Sequence, residues 1–324
     1  MRAFVTGATG FIGSHLCRCL LERGDEVVAL VRNPDKMKRL PESVRVFRGD
    51  LESFADERTE LPQCDVVIHL AGVVMAKTAD DYDAFNFRAV KELVACLGRQ
   101  KWSPRRLLFA SSLAAAGPSR ERPWSESDAL QPIDAYGSAK ARAEQALEAA
   151  PFPTTIFRPP IVFGPYDTAT LTLFRAARRS VGLRVAGSPQ RLSFVDVRDL
   201  VEGIARMADD ERPGRFVYYV SHPQAFDVAE LWQELGRAVG TRVRVVPVPR
   251  WALFATMQAA TLGARILRLS NQLDEKQYAQ MTAPAFVCSS DQISRDLGWH
   301  ARHDLQDALT HAAAAYREAG MLPA

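Results

Sequence analysis

Residues 2–24 read RAFVTGATGFIGSHLCRCLLERG: a short apolar strand, three evenly spaced glycines and a helix. Few segments restrict a fold so tightly. Gly7, Gly10 and Gly13 stand between a buried strand and a helix whose Ile12, Leu16, Cys19 and Leu20 share one face, with Gly24 as its stop. A glycine turn at that junction lets the backbone approach a pyrophosphate, and the following helix adds unpaired N–H groups and a favourable dipole. The spacing is one residue wider than G-x-G-x-x-G, but the physical requirements are the same. The turn therefore predicts a dinucleotide cradle built from Gly7, Thr9, Gly10, Phe11, Ile12 and Gly13.

The elements that follow alternate. EVVALVR, VRVFRGD, CDVVIHLAG, RRLLFASS and FPTTIFRPP read as strands, and residues 85–99 and 135–149 as helices. Strand cores that are almost wholly aliphatic or β-branched belong in a parallel sheet covered on both faces. The expected class is α/β, a Rossmann-type doubly wound parallel sheet. After Pro165 the pattern loosens into helices at residues 169–181, 197–209 and 227–240 and the short strands GLRVAG, RLSFVDV and RFVYYVS. Asp227 with Glu230 three residues on marks a helix start. We expect a dinucleotide-binding domain over residues 1–165, with 190–220 returning to its sheet, and a smaller mixed portion over 166–324 that binds substrate. Segment 243–270 serves either as core packing or as a lid or substrate wall made by Trp251, Phe254 and Met257.

Composition removes several function classes. Forty-one basic and 38 acidic residues are interleaved and give +3, which makes no case for a nucleic-acid partner. Cys17, Cys19, Cys64, Cys96 and Cys288 have neither the density of a stapled secreted chain nor metal-ligand spacing, and a reducing, cytoplasmic compartment fits them. His15, His69, His222, His300, His303 and His311 form no recognised ligand set, so no metal is expected. The glycines interrupt the apolar start where a signal sequence needs a continuous helix. No uncharged apolar stretch of about 18 residues follows, so neither a membrane span nor a membrane partner is expected.

The end of the second strand reaches the adenosine ribose, where an acid would accept hydrogen bonds from the diol of NAD and repel a 2′-phosphate. This chain places Arg32 there, with Lys36 four residues on and Arg39 close enough to substitute for Lys36. The planar fork of arginine suits a phosphate, so NADP is the expected cofactor, with NAD possible. Asp50 and Leu51 follow the third strand, where they would bracket adenine. Leu70, Ala71 and Gly72 end the fourth, where small residues permit approach by the cofactor.

DAYGSAK sets Tyr136 and Lys140 one helical turn apart on one face. A phenol titrates near pH ~10 when unperturbed, and a neighbouring ammonium favours its phenolate. Such a tyrosine can give a proton to a carbonyl oxygen or take one from an alcohol. Lys140 can also hydrogen-bond the nicotinamide ribose. FASSL at the end of the fifth strand supplies Ser111 and Ser112, either of which would hold the substrate oxygen.

Together GATGFIG, GDL, HLAG, FASS, YGSAK, FRPPIVFGP and FVDVRDL, spread over residues 3–200 and echoed by a terminal DLGW, resemble the extended short-chain dehydrogenase/reductase family. That group contains sugar-nucleotide epimerases, dehydratases, dihydroflavonol-type reductases and 3β-hydroxysteroid-type dehydrogenases. The resemblance implies that Tyr136 is the catalytic acid/base, Lys140 its partner and Ser112 the hydroxyl of the triad, chosen over Ser111 by counting back from Gly117. It makes Asn86, read as opening a helix, a cofactor-side residue and puts Pro159 near the nicotinamide. Two departures bear on subclass. Pro160 stands where the sugar-nucleotide enzymes usually carry an asparagine, and SSLAAAG lacks the acid pair of the dehydratases.

The expected function is therefore NADP(H)-dependent hydride transfer between nicotinamide and a ketone or secondary alcohol of a small or moderately hydrophobic metabolite. The alternative is a nucleotide-sugar epimerase with tightly bound NAD(P), in which Arg191 and Arg198 would meet a diphosphate. A dinucleotide sensor on the same fold is a third reading, disfavoured by the intact serine, tyrosine and lysine. The resemblance also implies a homodimer joined through helices near residues 86–99 and 136–149, and twofold assembly is the commonest closed solution.

Overall fold

Short runs of β-branched and aliphatic residues pair side by side because each can be buried on both faces. They form β1 (Arg2–Thr6), β2 (Glu26–Val31), β3 (Arg45–Arg48), β4 (Val66–His69), β5 (Arg106–Ala110) and β6 (Thr154–Arg158). After β6 come β7 (Ile161–Phe163), β8 (Val181–Val185), β9 (Arg191–Leu192), β10 (Phe194–Asp196) and β11 (Arg215–Tyr219). The main sheet runs β11-β6-β5-β4-β1-β2-β3 and is parallel throughout. This is the doubly wound Rossmann-type architecture. The protein is described by a computed structural model over residues 1–76, 78–119, 122–187, 190–266 and 275–323.

Two helical layers close the sheet. On one face α1 (Phe11–Glu22) and, much later in the chain, the helix Val197–Asp209 press Leu16, Leu20, Leu200 and Ile204 onto Val5, Ile68 and Leu108. On the other, α2 (Ala79–Asp83), α3 (Ala89–Arg99) and α4 (Ala135–Ala146) follow one another, and Leu93, Leu97, Ala143 and Leu147 cover Phe4, Val67 and Phe109. Full burial of one such aliphatic side chain contributes about 1.5–3 kcal/mol. The core on the α3 face, through Ala143 and Leu147, therefore helps position α4, whose sequence has little amphipathic pattern of its own.

The smaller portion is mixed, as expected. After α5 (Leu171–Arg178), α6 is the Val197–Asp209 helix on the main sheet, and the remaining helices are α7 (Val228–Val239), α8 (Arg250–Ile266), α9 (Glu275–Thr282), α10 (Asp291–Leu297) and α11 (Leu305–Glu318). Phe163, Phe174, Phe194, Phe226, Trp232 and Tyr316 form a separate aromatic core under α5, α7 and α11. The remaining strands are β12 (Phe226–Asp227), β13 (Arg244–Val248) and β14 (Ala285–Phe286). β13 pairs with β8 as a parallel ribbon, and β12, β9 and β14 make a small sheet. Among the described residues no helix is long and apolar enough to cross a membrane.

Several expected boundaries move for local reasons. The helix expected at residues 85–99 starts earlier, at Ala79, because Thr78 and Asp81 form a reciprocal capping box, with bonds of 3.1 and 3.0 Å. It then widens into a π-type turn over Ala84–Arg88 before α3. The helix expected over 169–181 stops at Arg178, and Ser180, at φ +60°, turns the chain into β8. β6 ends at Arg158 because Pro159 and Pro160 have no N–H to donate to the ladder. The end of the 243–270 segment, residues 267–270, lies outside the described residues.

Candidate functional site

The glycine turn sits at the carboxyl end of β1, opposite the end of β4, with Thr6 in register with His69. Gly7 has φ +72°, and a Cβ there would come within 2.7 Å of Ala71 N. A Cβ on Gly13 would collide with the Gly7 carbonyl. α1 begins at Gly10 without a side-chain cap. A cradle that only glycines can form, leading into an uncapped helix N-terminus, fits a dinucleotide pyrophosphate. Thr9, Phe11 and Ile12 belong to the same turn and the first helical residues, each partly exposed.

The loop after β4 is held from below. Ala71 N donates to Thr6 Oγ1 at 3.3 Å, and Thr6 Oγ1 in turn meets His69 Nδ1 at 2.8 Å. Burial pushes the His69 imidazole down to about 3, with Lys140 adding to the effect, so the ring is neutral and structural at physiological pH. Leu70 is half-buried, and Gly72 lies exposed above Asn86 and Lys140; a Cβ on Gly72 would sit 2.5 Å from Asn86 Oδ1. Asn86 does not open a helix. It lies fully buried in the π-type turn, accepts from Val73 N at 3.1 Å and donates to Val73 O and Tyr82 O. Widened turns of this kind recur at functional sites.

Arg32 follows β2 directly, and Lys36 and Arg39 lie in the short turn Pro34–Arg39. Arg32 and Lys36 are exposed, and neither enters an ion pair among the described residues. Arg39 stacks its guanidinium over Tyr166, 5.1 Å from the ring centre. Asp50 uses Oδ1 to accept from both N and Oγ of Ser53 at 2.9 Å, which shapes the turn behind Leu51.

Tyr136 and Lys140 lie on the first turns of α4, which Asp134 caps by accepting from Gly137 N at 2.6 Å. Lys140 is buried, donates to Ala110 O at 2.7 Å and stands 5.8 Å from the centre of the Tyr136 ring. Burial brings its ammonium down to about 8, with Glu144 opposing the shift. Tyr136 keeps part of its surface exposed, yet burial around the phenol pushes it up to about 12, partly offset by a hydrogen bond with Ser112. At neutral pH the phenol holds its proton, the form needed to protonate a carbonyl oxygen.

The two serines separate completely. Ser112 caps the turn Leu113–Ala115 by accepting from Ala114 N at 3.1 Å and lines the cavity beside Tyr136. Ser111 is buried and donates to Glu144 Oε1. Glu144 is clamped by Arg158, whose Nη2 reaches Oε2 at 2.6 Å and whose Nη1 donates to Tyr219 at 3.1 Å. This buried cluster pins α4 to the ends of β5 and β6. Sequence reasoning missed it, although Arg158 stood inside the FRPP motif and Glu144 one turn beyond Lys140. Pro159 is buried and accepts from Leu113 N at 2.9 Å, which ties that motif to the Ser112 turn.

Above Ser112 and Tyr136 opens a cavity of about 630 Å³. Val74, Met75, Leu113, Ile161, Met281 and Phe286 give it apolar walls, and no lysine or arginine lines it among the described residues. Tyr82, 6.1 Å from Tyr136 between ring centres, and Gln190 also face it. Neither was singled out in the sequence; the T-A-D-D capping box would have placed Tyr82 on a helix. Of the expected wall residues, Met257 is buried, while Trp251 and Phe254 are exposed and lie outside the lining. Arg198 is committed to Asp196 through bonds of 2.9 and 2.8 Å, and Arg191 is exposed outside the lining.

Comparison with known proteins agrees with this geometry. Residues 3–220 match the NAD dependent epimerase/dehydratase family. A ceramide reductase of Caulobacter vibrioides is 27% identical over 98% of this chain and 95% of its own length. The UDP-glucose 4-epimerase of Vibrio cholerae is also 27% identical, over 97% of this chain and 95% of its own. Among solved structures, MoeE5 in complex with UDP-glucuronic acid and NAD superposes with a TM-score of 0.77 at 25% identity, covering 98% of this chain and all of that one.

Proposed function

The chain belongs to the NAD-dependent epimerase/dehydratase family, and from that footing we propose that it is an NADP(H)-dependent oxidoreductase acting on a ketone or secondary alcohol of a hydrophobic metabolite. One observation carries the choice within the family. The cavity over Tyr136 and Ser112 has mainly aliphatic, thioether and aromatic walls, and its polar members among the described residues, Thr78, Asp134, Gln190, Ser193 and Gln280, include no cation to meet a diphosphate. Pro160 sits in that wall, where its ring can only pack. The ceramide reductase relative, named for a lipid substrate, points the same way.

The nicotinamide, when bound, supplies or accepts the hydride. The chain's own residues do the rest. Ser112 orients the substrate oxygen and Tyr136 passes it a proton, or removes one in the oxidative direction. Lys140, anchored on Ala110 O, holds the nicotinamide ribose and offsets charge developing on the phenol. Asn86 fixes the loop that carries Leu70, Ala71 and Gly72 along the cofactor. Asp50 and Leu51 would border the adenine, and Pro159 would lie near the nicotinamide. Residues 166–324 complete the cavity wall through Gln190, Leu192, Ser193, Gln280, Met281 and Phe286.

Arg32 and Lys36 support NADP over NAD, since both are exposed, have no ion-pair partner among the described residues, and follow the second strand, whose end is expected to reach the adenosine ribose. Five unpaired cysteines suit a reducing, cytoplasmic setting, and a homodimer through α3 and α4 completes the reading. The test is titration of NADPH and NADH into the wild type and Arg32→Ala, followed by a screen of ketones with the preferred cofactor. We expect Arg32→Ala to weaken NADPH by about 1.5–3 kcal/mol and leave NADH unchanged. Equal losses for both cofactors, or no ketone turned over, would overturn the reading.

The second reading is the nucleotide-sugar epimerase, favoured by the 27% identical UDP-glucose 4-epimerase. The commitment of Arg198 to Asp196 counts against it, because the diphosphate would have to displace an existing ion pair. NAD retained through purification, with UDP-glucose converted, would select this reading.

A further inference from the structure

Large apolar side chains are exposed unevenly on this protein. Of the nine exposed among the described residues, only Val46 lies on the far edge of the sheet. Val74, Met75 and Met281 ring the cavity mouth, and Val181, Leu183, Val246, Trp251 and Phe254 lie along β8, β13 and the start of α8. Scattered apolar exposure is ordinary, but concentration beside a cavity marks an interaction surface.

The β8–β13 register sets Val181 opposite Arg244 and Leu183 opposite Val246, so these four side chains share one face. Leu183 is 57% exposed on it. The opposite side is filled: Trp232 lies under Gly182 and donates to Leu183 O at 2.8 Å. β13 runs through Pro249 into α8, where Trp251 is 75% exposed and Arg250 and Phe254 are one turn apart. The face is continuous with the cavity. Phe254 meets Tyr278 at 5.4 Å between ring centres, and Arg250 Nη2 donates to Thr282 O at 3.4 Å. Both contacts join α8 to α9, whose Gln280 and Met281 line the mouth. Gln190, at the end of the β8 loop, donates to Met281 O and lines it too.

Charge decides what this face meets. Residues 168–195 hold five arginines and 235–259 four more, with no aspartate or glutamate in either segment, in a chain whose net charge is only +3. Arg237 is paired with Glu234. Arg244 and Arg250 on the face, and Arg179 and Arg242 near its ends, have no ion-pair partner among the described residues, while Arg184 shares the Gly182 side of β8. Exposed aromatic and aliphatic groups interspersed with unpaired arginines match the boundary of an anionic bilayer, with apolar groups in the acyl region and guanidinium groups at the phosphates.

We propose that the outer face of β8–β13 and the first turns of α8 dock on the surface of an anionic lipid bilayer, so that a hydrophobic ketone reaches the cavity without crossing water. The use of the face rests on the reading above; its existence does not. It also replaces the expectation of no membrane partner with surface contact.

The test is co-flotation of the full chain with mixed phosphatidylglycerol–phosphatidylcholine vesicles and with pure phosphatidylcholine vesicles, alongside NADPH titration of each protein. The wild type is expected to float with the anionic vesicles only, and less as salt screens the arginines. Arg244→Glu with Arg250→Glu should lower partitioning by about 25-fold, about fivefold per lost arginine. Trp251→Ser with Phe254→Ser should lower it by about tenfold. NADPH affinity should be unchanged in both, which shows that they fold. Absence of flotation, equal flotation with neutral vesicles, or unchanged flotation of either variant overturns the proposal. So does a dimer that the variants dissolve, or retention on RNA, without vesicle binding. Flotation as described in a protein that turns over no ketone leaves the docking face standing and removes the substrate reading.

Discussion

Two neighbouring regions at the end of β5 use the same helix in opposite ways. The cavity floor, Ser112 and Tyr136, presents hydroxyls to open space, and its serine spends one backbone contact on shaping a turn. The cluster below it, Ser111, Glu144, Arg158 and Tyr219, is closed, and each member is a partner of another. The contrast teaches where reactivity comes from. Groups that must move a proton are left with unused capacity, and groups that must hold a helix still are saturated. Lys140 stands between them, bonded downward to Ala110 O and facing Tyr136 above.

Substitutions can break that contrast, beginning with the largest effect. Tyr136→Phe should lower turnover by about 10²–10⁴-fold while thermal unfolding and cofactor affinity stay at wild-type values. Steady-state rates beside cofactor fluorescence would show it, and near-normal turnover would remove the cavity floor from the chemistry. Arg158→Met should do the reverse. It leaves the Glu144 carboxylate buried without its ion-pair partner and should cost about 3–5 kcal/mol in urea unfolding. If it were no more destabilising than an exposed arginine substitution, the lower cluster would not be a clamp.

Lys140 sharpens the comparison through pH. Burial has moved its ammonium from 10.5 down to about 8, so between those values the unfolded chain binds the extra proton and the folded chain does not. Stability contributed at this site therefore rises with pH across that window, by about 3 kcal/mol in all, and is lowest below pH 8. Buried cysteines and tyrosines whose pKa values are raised work in the opposite direction nearby. The wild-type curve minus that of Lys140→Met isolates the lysine, and a flat difference would mean that its charge is solvated. The smallest effect is expected from the serine pair. Ser111→Ala should lose about 1.5 kcal/mol of stability and keep its rate, whereas Ser112→Ala, which gives up the turn cap to Ala114 N, should lose about 0.5 kcal/mol of stability and most of its rate. Matching behaviour of the two variants would erase the distinction.

What could be read in the sequence was what local geometry demands. Gly7 needs a positive φ and a close approach to Ala71, and Tyr136 and Lys140 need only helical spacing; both requirements are visible in a few residues. The choice between Ser111 and Ser112 was not local. It depends on Glu144, thirty-three positions away, and only resemblance could point to it beforehand. Asn86 was found by motif but placed at a helix start, because the Thr78–Asp81 capping box went unread. The outer cavity wall was the least legible part. Met281 and Phe286 share a cavity with Tyr136 across well over a hundred residues, while the aromatic pair read as either core or wall, Trp251 and Phe254, is exposed outside its lining. An apolar residue in a helix with apolar residues on several faces, such as α8, does not announce which side of a surface it will occupy.

The path of the chain after β6 has a consequence for dissection. It leaves the sheet at Arg158, then returns to lay α6 across one face and β11 along the β6 edge. α6 contributes Val197, Leu200, Val201, Ile204 and Met207 to the same core as β1 and β4. A fragment ending near Pro165 would contain every glycine of the cradle, Tyr136 and Lys140, yet expose half of one sheet face and the open edge of β6 to water. The glycine turn and the catalytic pair are thus not a portable module, and a fusion or deletion boundary has to lie outside the entire interleaved chain.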